Sequence, residues 1–250
     1  MFSPLDQFET FSLIGFTAPI VGDFYISFTN IGLYSFLVLT IILGLHTLGN
    51  NNFALVPSSY SIALETLFAT ISTIVRNQIG ETKEVYIPFI YSLFLFILIS
   101  NLISNIPYNF AITSSIIVCL GLSVTIFIGV TLLAIVKHKI TYFSFFLPQG
   151  TPGPLVPLLV LIELVSNLAR SVSLGLRLFA NLCAGHSLMA ILSSFLFKMF
   201  SSSLLMSVVT LLPFTVFIGI IGLEVAVSFI QAYVFVLLVS SYIKDAEYLH

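Results

Sequence analysis

The stretch LLVLIELVSNLARSVSLGLRLFANLCAGHSLMAILSSFLFKMF at residues 158–200 decides the fold, because it is strongly apolar and contains no proline. An α-helix rises about 1.5 Å per residue, so a helix over residues 155–199 would be about 67 Å long, against a hydrocarbon core of roughly 30 Å. A helix over residues 204–243 would reach about 60 Å. Neither helix can cross a bilayer upright. The sequence therefore predicts two long antiparallel helices, strongly tilted at membrane depth, with a protein partner covering their polar face.

Composition restricts the chain to a membrane protein. Of its 250 residues, 58% are hydrophobic and only 7% are charged, whereas a soluble domain carries about 25% charged residues. The mean hydropathy is +1.15. The net charge is -2 and the few Lys and Arg residues are scattered, which excludes the basic surface that nucleic-acid binding needs. We therefore expect an integral membrane protein that binds no nucleic acid.

Three further apolar segments have the length of a membrane span: residues 24–46, 85–106 and 111–136. The second and third of these segments form a predicted hairpin around Pro107. In residues 58–78, apolar side chains recur with helical periodicity on one face, and polar side chains lie on the opposite face. We interpret this segment as an interfacial amphipathic helix, the alternative being a helix packed on a soluble domain. The expected fold class is an all-α integral membrane protein, a single membrane domain over residues 1–250. It has about five membrane-embedded helices, one interfacial amphipathic helix and a long, strongly tilted hairpin at its end.

Positively charged residues predict the orientation, because they concentrate on the cytoplasmic or matrix side of a membrane. With five crossings, one side carries only Lys198, and the other carries five cations: Arg76, Lys83, Lys137, Lys139 and Lys244. The C-terminus is therefore predicted to face the positive compartment and the N-terminus the opposite one.

Ionisable side chains at predicted membrane depth are the functional candidates, since each costs at least about 2.5 kcal/mol to insert. They are Glu163, Arg170, Arg177, His186 and Glu224. At about 100° per residue, one stripe of the first long helix lies within about 40° of Arg177, whereas His186 lies about 180° away. That stripe comprises Glu163, Ser166, Arg170, Ser173, Arg177 and Asn181, and a stripe on the second helix comprises Glu224, Ser228, Gln231, Tyr242 and Asp245. Polar and proton-exchanging groups therefore follow both helices.

Each candidate also has a purely structural interpretation. Arg177 could form an ion pair with a carboxylate of either long helix, and Arg170 could support an interface or bind a lipid phosphate. His186 could be a buried, hydrogen-bonded side chain. Glu163 and Asp245 could be solvated carboxylates at helix ends. Helical geometry alone leaves these alternatives open.

Four segments resemble the subunit a family of F-type ATP synthases. They are GTPGPLVPLLVLIELVS (150–166), SLGLRLFANLCAGHSLM (173–189), LEVAVSFIQAYVFVLL (223–238) and SYIKDAEYLH (241–250). The resemblance covers essentially the whole chain, including IPYNFA at residues 106–111, between the two apolar segments of the predicted hairpin. The sequence AGH at residues 184–186 and the opening SPLDQFE are similar to the mitochondrial, and particularly the fungal, branch.

The resemblance implies a proton-translocating stator subunit of the membrane sector. Its partners would be a rotating c-ring of small hairpin subunits, each with one mid-membrane carboxyl group, together with subunit b, other membrane-sector subunits and the lipid bilayer. Arg177 would face the ring, supported by Asn181, Gln231 and Ser173. The half-channel from the intermembrane space would contain Glu224 and His186, and the matrix half-channel would contain Glu163 and Asp245. The location implied is the mitochondrial inner membrane, with the N-terminus in the intermembrane space and the C-terminus in the matrix.

An arginine suits the implied role because a guanidinium keeps its proton at any working pH. At about 4 Å and an effective dielectric constant of about 20, it attracts a carboxylate by about 4 kcal/mol. It can therefore hold a ring carboxylate ionised without passing a proton on, and so block a short circuit between the half-channels.

No nucleotide-binding or hydrolytic motif occurs, since the chain lacks both G-x-x-x-x-G-K-[ST] and H-E-x-x-H. We therefore expect no bound nucleotide, no cofactor, no metal and no bond chemistry by this chain alone. Two other classes compete with a stator subunit. A transporter or channel working alone would carry flux without partners, and a structural scaffold would tolerate the loss of Arg177.

Overall fold

A computed structural model describes residues 6–18, 24–49, 56–106, 109–139, 142, 155–201 and 209–248. This part of the chain forms six α-helices: α1 (Asn30–Gly49), α2 (Ser59–Ile79), α3 (Ile87–Ser104), α4 (Ile116–His138), α5 (Val156–Phe200) and α6 (Leu211–Glu247). Two strands, β1 (Ser12–Ala18) and β2 (Phe24–Thr29), precede α1. Short 3-10 helices lie at Asp6–Phe8, Glu81–Tyr86 and Ile112–Ser114.

Among the described helices, five are long and apolar enough to cross a membrane: α1, α4, α5, α6 and the segment Lys83–Ser104 that contains α3. Many large apolar side chains on these helices are exposed. Helices are suited to a lipid environment because they satisfy their own backbone hydrogen bonds. The predicted all-α membrane class is confirmed.

The first apolar helix begins later than the sequence predicts. The expected span started at residue 24, but Phe24–Thr29 is strand β2 and α1 begins at Asn30. β2 pairs antiparallel with β1, and Ala18 lies opposite Phe24. Aromatic and β-branched residues in FYISFT favour a strand. Apolarity alone did not distinguish these six residues from the helix that follows.

Asn30 marks the change from strand to helix. Its side-chain oxygen accepts a hydrogen bond from the backbone N–H of Ile31 at 3.0 Å. Its side-chain nitrogen donates to the carbonyl of Glu9 at 3.2 Å. The residue therefore ties the start of α1 to the segment that precedes β1.

Two compact units make up the fold. The first consists of Met1–Asn50, Leu95–Ser115 and Phe179–Ala232, and the second of Asn51–Phe94, Ile116–Leu178 and Tyr233–His250. Helices α3, α5 and α6 each contribute to both units. The candidate site residues consequently fall into two groups.

In the second unit, α2 is amphipathic as the sequence predicts. Ser58 caps its start, since the Ser58 hydroxyl accepts from the backbone N–H of Ser61 at 3.3 Å. Ile71, Val75 and Ile79 are fully buried, whereas the threonines of the opposite face are exposed. The location of α2 at a membrane interface stays a prediction.

Close packing of α4 and α5 in the second unit depends on a glycine. A β-carbon at Gly175 would lie 2.8 Å from the backbone carbonyl oxygen of Cys119, which is closer than a real β-carbon can approach. One turn earlier on α5, the Ser171 hydroxyl donates to the carbonyl of Ser123 at 3.2 Å. The two helices are therefore antiparallel and in backbone contact here.

Candidate functional site

Glu224 is a buried carboxyl group of the first unit. It lies on α6 with 8% of its surface exposed. Neither of its carboxylate oxygens has a hydrogen-bond partner within the described part of the chain. A buried carboxyl group without a partner is unfavourable in a purely structural role. This arrangement instead suits a group that exchanges protons.

Gly185 on α5 provides the space for this carboxyl group. A β-carbon at position 185 would collide with the Glu224 carboxyl oxygen and lie 3.0 Å from its carboxyl carbon. The side chain of Glu224 therefore lies directly against Gly185 of α5.

His186 follows Gly185 and is partly buried. Its Nε2 atom has no hydrogen-bond partner among the residues that the structure describes. The ring of Phe8 packs edge-on against the imidazole, with 6.4 Å between ring centroids. The structural alternative of a hydrogen-bonded histidine is therefore unsupported at Nε2. His186 and Glu224 both belong to the first unit.

Asn181 and Gln231 form a direct hydrogen bond, with 2.9 Å between Asn181 Nδ2 and Gln231 Oε1. Gly185, four residues after Asn181 on α5, contacts Glu224, which lies seven residues before Gln231 on α6. The contacts run in opposite directions, so α5 and α6 are antiparallel in the first unit. Gln231 is buried and Asn181 is exposed.

Asn101 on α3 and Asn105, directly after the end of α3, also belong to the polar interior of the first unit, and sequence reasoning missed both. Asn105 donates to the hydroxyl of Ser228 at 3.0 Å, and Ser228 donates to the carbonyl of Glu224 at 2.9 Å. Asn101 accepts a hydrogen bond from Thr113 at 3.0 Å. Amide side chains inside an apolar span were the signal that could have identified them.

The second unit contains the ion pair between Arg170 and Asp245, with 3.5 Å from Nη1 to Oδ2. Tyr242, one turn before Asp245 on α6, donates to the carbonyl of Arg170 at 3.3 Å. The Arg170 guanidinium lies 5.9 Å from the centroid of the Tyr242 ring. These residues and Asn167 line a pocket of about 40 Å³, which is large enough for water.

Arg177 and Ser173, also in the second unit, are exposed on α5. Within the described ranges Arg177 forms no salt bridge and no side-chain hydrogen bond. Glu163 is partly exposed, and no contact among these residues joins it to the pair of Arg170 and Asp245. The structure therefore joins Arg170 with Asp245, and leaves Arg177 and Glu163 open.

Glu247 is a further carboxyl group that the sequence interpretation did not single out. Its side chain is 4% exposed and forms ion pairs with Lys83 and Lys137. Tyr86 donates to Oε1 of Glu247 at 2.6 Å. The signal in the sequence was an acidic residue at the end of an apolar helix.

Five long apolar helices, of which α5 and α6 carry carboxyl, imidazole or guanidinium groups along their length, define a multi-pass membrane protein of the ion-translocating class. The family model described as ATP synthase A chain matches residues 32–244. The chain therefore belongs to the ATP synthase subunit a family, part of the membrane sector in ATP synthesis and proton transport.

Fungal relatives cover nearly the whole chain. ATP synthase subunit a of Mycosarcoma maydis is 58% identical over 248 residues, which is 99% of this chain and 98% of that protein. The subunit a of Emericella nidulans is 48% identical and that of Kluyveromyces lactis is 46% identical, each over 249 residues, 99% of this chain and 97% of the relative.

Proposed function

We propose that this chain is the stationary proton-conducting subunit of a rotary ATP synthase, in which Arg177 faces a rotating c-ring. The observation that carries the proposal is the state of Arg177. It is an exposed cation in a 45-residue apolar helix, without an ion pair among the described residues. A guanidinium at membrane depth is costly unless another group compensates its charge. A carboxylate on a neighbouring protein would supply that compensation.

A ring of carboxyl groups suits Arg177 better than a single fixed partner. The guanidinium attracts each carboxylate as it passes but does not accept its proton. Each ring carboxyl must consequently take its proton from one water-accessible path and release it into another. Arg177 separates the two paths, so that protons cross the membrane only when the ring turns.

The path from the intermembrane space is proposed to run through the first unit. The oxygens of Glu224 and Nε2 of His186, which have no hydrogen-bond partner among the described residues, support this assignment, because both groups can bind and release protons. Asn181 and Gln231 cannot act as acids. We assign them, with Ser173, to the ring interface, where they would orient Arg177 or bound water.

The path to the matrix is proposed to run through the second unit. The water-sized pocket beside Asp245 and Arg170 supports it, and the exposure of Glu163 on the same helix as Arg170 is compatible with a channel mouth. The chain would reside in the mitochondrial inner membrane with its C-terminus in the matrix. It would contact the c-ring, subunit b and other membrane-sector subunits, and it would catalyse no bond chemistry itself.

Cysteine cross-linking in the assembled complex tests the ring interface. Cys119 and Cys183 are first replaced by alanine, and a cysteine is placed beside the ring carboxyl. Ser173→Cys, one helical turn before Arg177, should then cross-link to the ring. Phe36→Cys is the matched control, since Phe36 is 66% exposed on α1 but has no role in the proposed site. Equal cross-linking at both positions, or none at Ser173, would contradict the proposal.

Arg177→Ala tests the coupling. The assembled variant complex should lose proton-driven ATP synthesis. A variant that retains synthesis would favour the structural scaffold instead.

A further inference from the structure

The last turn of α6 is held by three groups that converge on one buried carboxylate. Tyr86 donates to Oε1 of Glu247 at 2.6 Å. Lys83 lies 3.3 Å from Oε2, and Lys137 contacts the same oxygen. The Glu247 side chain is only 4% exposed. Two segments distant in sequence, the 3-10 helix at Glu81–Tyr86 and the end of α4, therefore meet at this residue.

The backbone of this turn is held as well. A helix ends with carbonyl groups that lack partners inside the helix. Here Lys137 donates to the carbonyl of Glu247 at 3.1 Å, and Nε2 of His138 lies 3.1 Å from the carbonyl of Ala246. Cations at a helix C-terminus also interact favourably with the helix dipole. The end of α4 thus caps the end of α6.

Asp245 lies two residues before Glu247, which is about 200° around the helix. One carboxylate therefore faces the lysines while the other faces Arg170. The pair of Asp245 and Arg170 is long, 3.5 Å, and both side chains are partly exposed, 34% and 43%. Exposed pairs of this kind hold a side chain weakly. A small rotation of the last turn of α6 would separate Asp245 from Arg170, and this ion pair alone is too weak to prevent that rotation.

The geometry points to Glu247 as a positioning residue for Asp245. By locking the rotation and the end of α6, Glu247 holds the Asp245 carboxylate beside Arg170 and the pocket that they line. It acts through Asp245 and takes no proton from the ring itself. This inference rests on the proposed role of Asp245 in the path to the matrix.

The dependence of activity on matrix-side pH is the readout, because a purely structural anchor would change only the amount of assembled complex. The charged and titratable groups around the two carboxylates belong to four segments of the second unit. They are Lys83 and Tyr86 on the 3-10 helix, Lys137, His138 and Lys139 at the end of α4, Arg170 on α5, and Tyr242, Lys244 and Tyr248 at the end of α6; Tyr142 also lines the pocket.

The experiment measures ATP-driven proton pumping per assembled complex in inverted vesicles, as a function of the pH on the matrix side. Glu247→Gln keeps the acceptor for Tyr86 but removes the charge that holds both lysines. Its pumping midpoint should shift by at least about half a pH unit, a threefold change in apparent proton affinity. Glu84→Gln is the matched control, because Glu84 pairs with Arg76 at 2.8 Å with both side chains about half exposed. Its profile should coincide with that of the unaltered complex.

A double variant separates this inference from the proposed function. In an Asp245→Asn background, Glu247→Gln should produce no further shift, since it acts through Asp245. If Asp245→Asn shifts the profile and Glu247→Gln does not, the inference is overturned and the proposed path stands. If Asp245→Asn itself causes no shift, the proposed role of Asp245 fails. Tyr86→Phe removes one hydrogen bond to Glu247 and preserves the aromatic ring, so its pH profile should shift less than that of Glu247→Gln but in the same direction. This variant also provides the test if Glu247→Gln does not assemble. In that case an unchanged Tyr86→Phe profile contradicts the inference.

Discussion

Gly185 on α5 is in contact with Glu224 on α6, and the absence of a side chain at residue 185 makes room for the carboxyl group. A β-carbon built at Gly185 would overlap Oε1 of Glu224 and lie 3.3 Å from its Cγ. The two helices can therefore pack with the Glu224 side chain between them only because residue 185 is a glycine. Glycine serves here for its size rather than for its backbone conformation.

Gly185→Ala should slow proton-driven ATP synthesis while the complex still assembles. Inserting a methyl group into a packed contact costs about 1–3 kcal/mol, and the flexible Glu224 side chain is the part that can move. If that cost falls on the proton-transfer step, the rate declines about 5- to 150-fold. Gly219→Ala is the matched control, because a β-carbon at Gly219 on α6 would meet nothing within 4 Å. Equal rates for the two variants, measured in inverted vesicles, would remove Gly185 from this role.

Glu224→Gln should reduce synthesis by at least about tenfold, a barrier increase of roughly 1.4 kcal/mol, and leave assembly normal. The amide has nearly the shape of the carboxyl group but cannot release a proton to the next carrier. Glu65→Gln makes the same chemical change at an exposed position of α2 and should have no effect. An unchanged synthesis rate in Glu224→Gln would exclude Glu224 from the proton path.

Hydrophobic patterning was sufficient to identify the long helices. Pro148, Pro152 and Pro154 precede the first of them and Pro157 lies in its first turn. Helix α5 runs over Val156–Phe200 against a predicted 155–199. The strand pair before α1 was missed, because a short apolar run has the same composition in a strand as in a membrane helix. The pairing of β2 also depends on residues of β1, and the local sequence pattern of β2 does not indicate which residues pair with it.

The candidate site was predictable residue by residue but not contact by contact. Ionisable groups in apolar segments can be identified from sequence, because placing them in a membrane costs free energy. Arg177 and Glu224 are candidates for this reason. Their neighbours are set by tertiary packing: Lys137 and Glu247 are 110 residues apart in sequence and adjacent in space. The role of Gly185 was not predicted for the same reason, because a glycine matters for packing only when another side chain, here that of Glu224, lies against it.

Arg177→Lys should abolish coupled synthesis although it preserves a positive charge. A lysine ammonium can give up its proton in an apolar site, whereas a guanidinium does not, so the barrier between the two paths would fail. The expected phenotype is a proton leak with little synthesis, measured as decay of an imposed pH gradient alongside the rate of ATP formation. Arg76→Lys is the control, because the pair of Arg76 and Glu84 is about half exposed and contributes at most about 1 kcal/mol. Full coupling in Arg177→Lys would contradict the proposed mechanism.

Gly175→Ala should affect assembly rather than proton transfer. The β-carbon would lie 2.8 Å from the Cys119 carbonyl oxygen, which belongs to a helix backbone and cannot rotate away as a side chain can. The helices α4 and α5 must then separate, at a cost of about 1–3 kcal/mol or more. The amount of intact complex on a native gel and its thermal stability should both decrease, and the remaining complex should synthesise ATP at the normal rate per molecule. Gly121→Ala on α4, where a β-carbon would meet nothing within 4 Å, should leave both quantities unchanged. A normal yield of Gly175→Ala complex with slowed synthesis would place this contact in the proton path instead of in the scaffold.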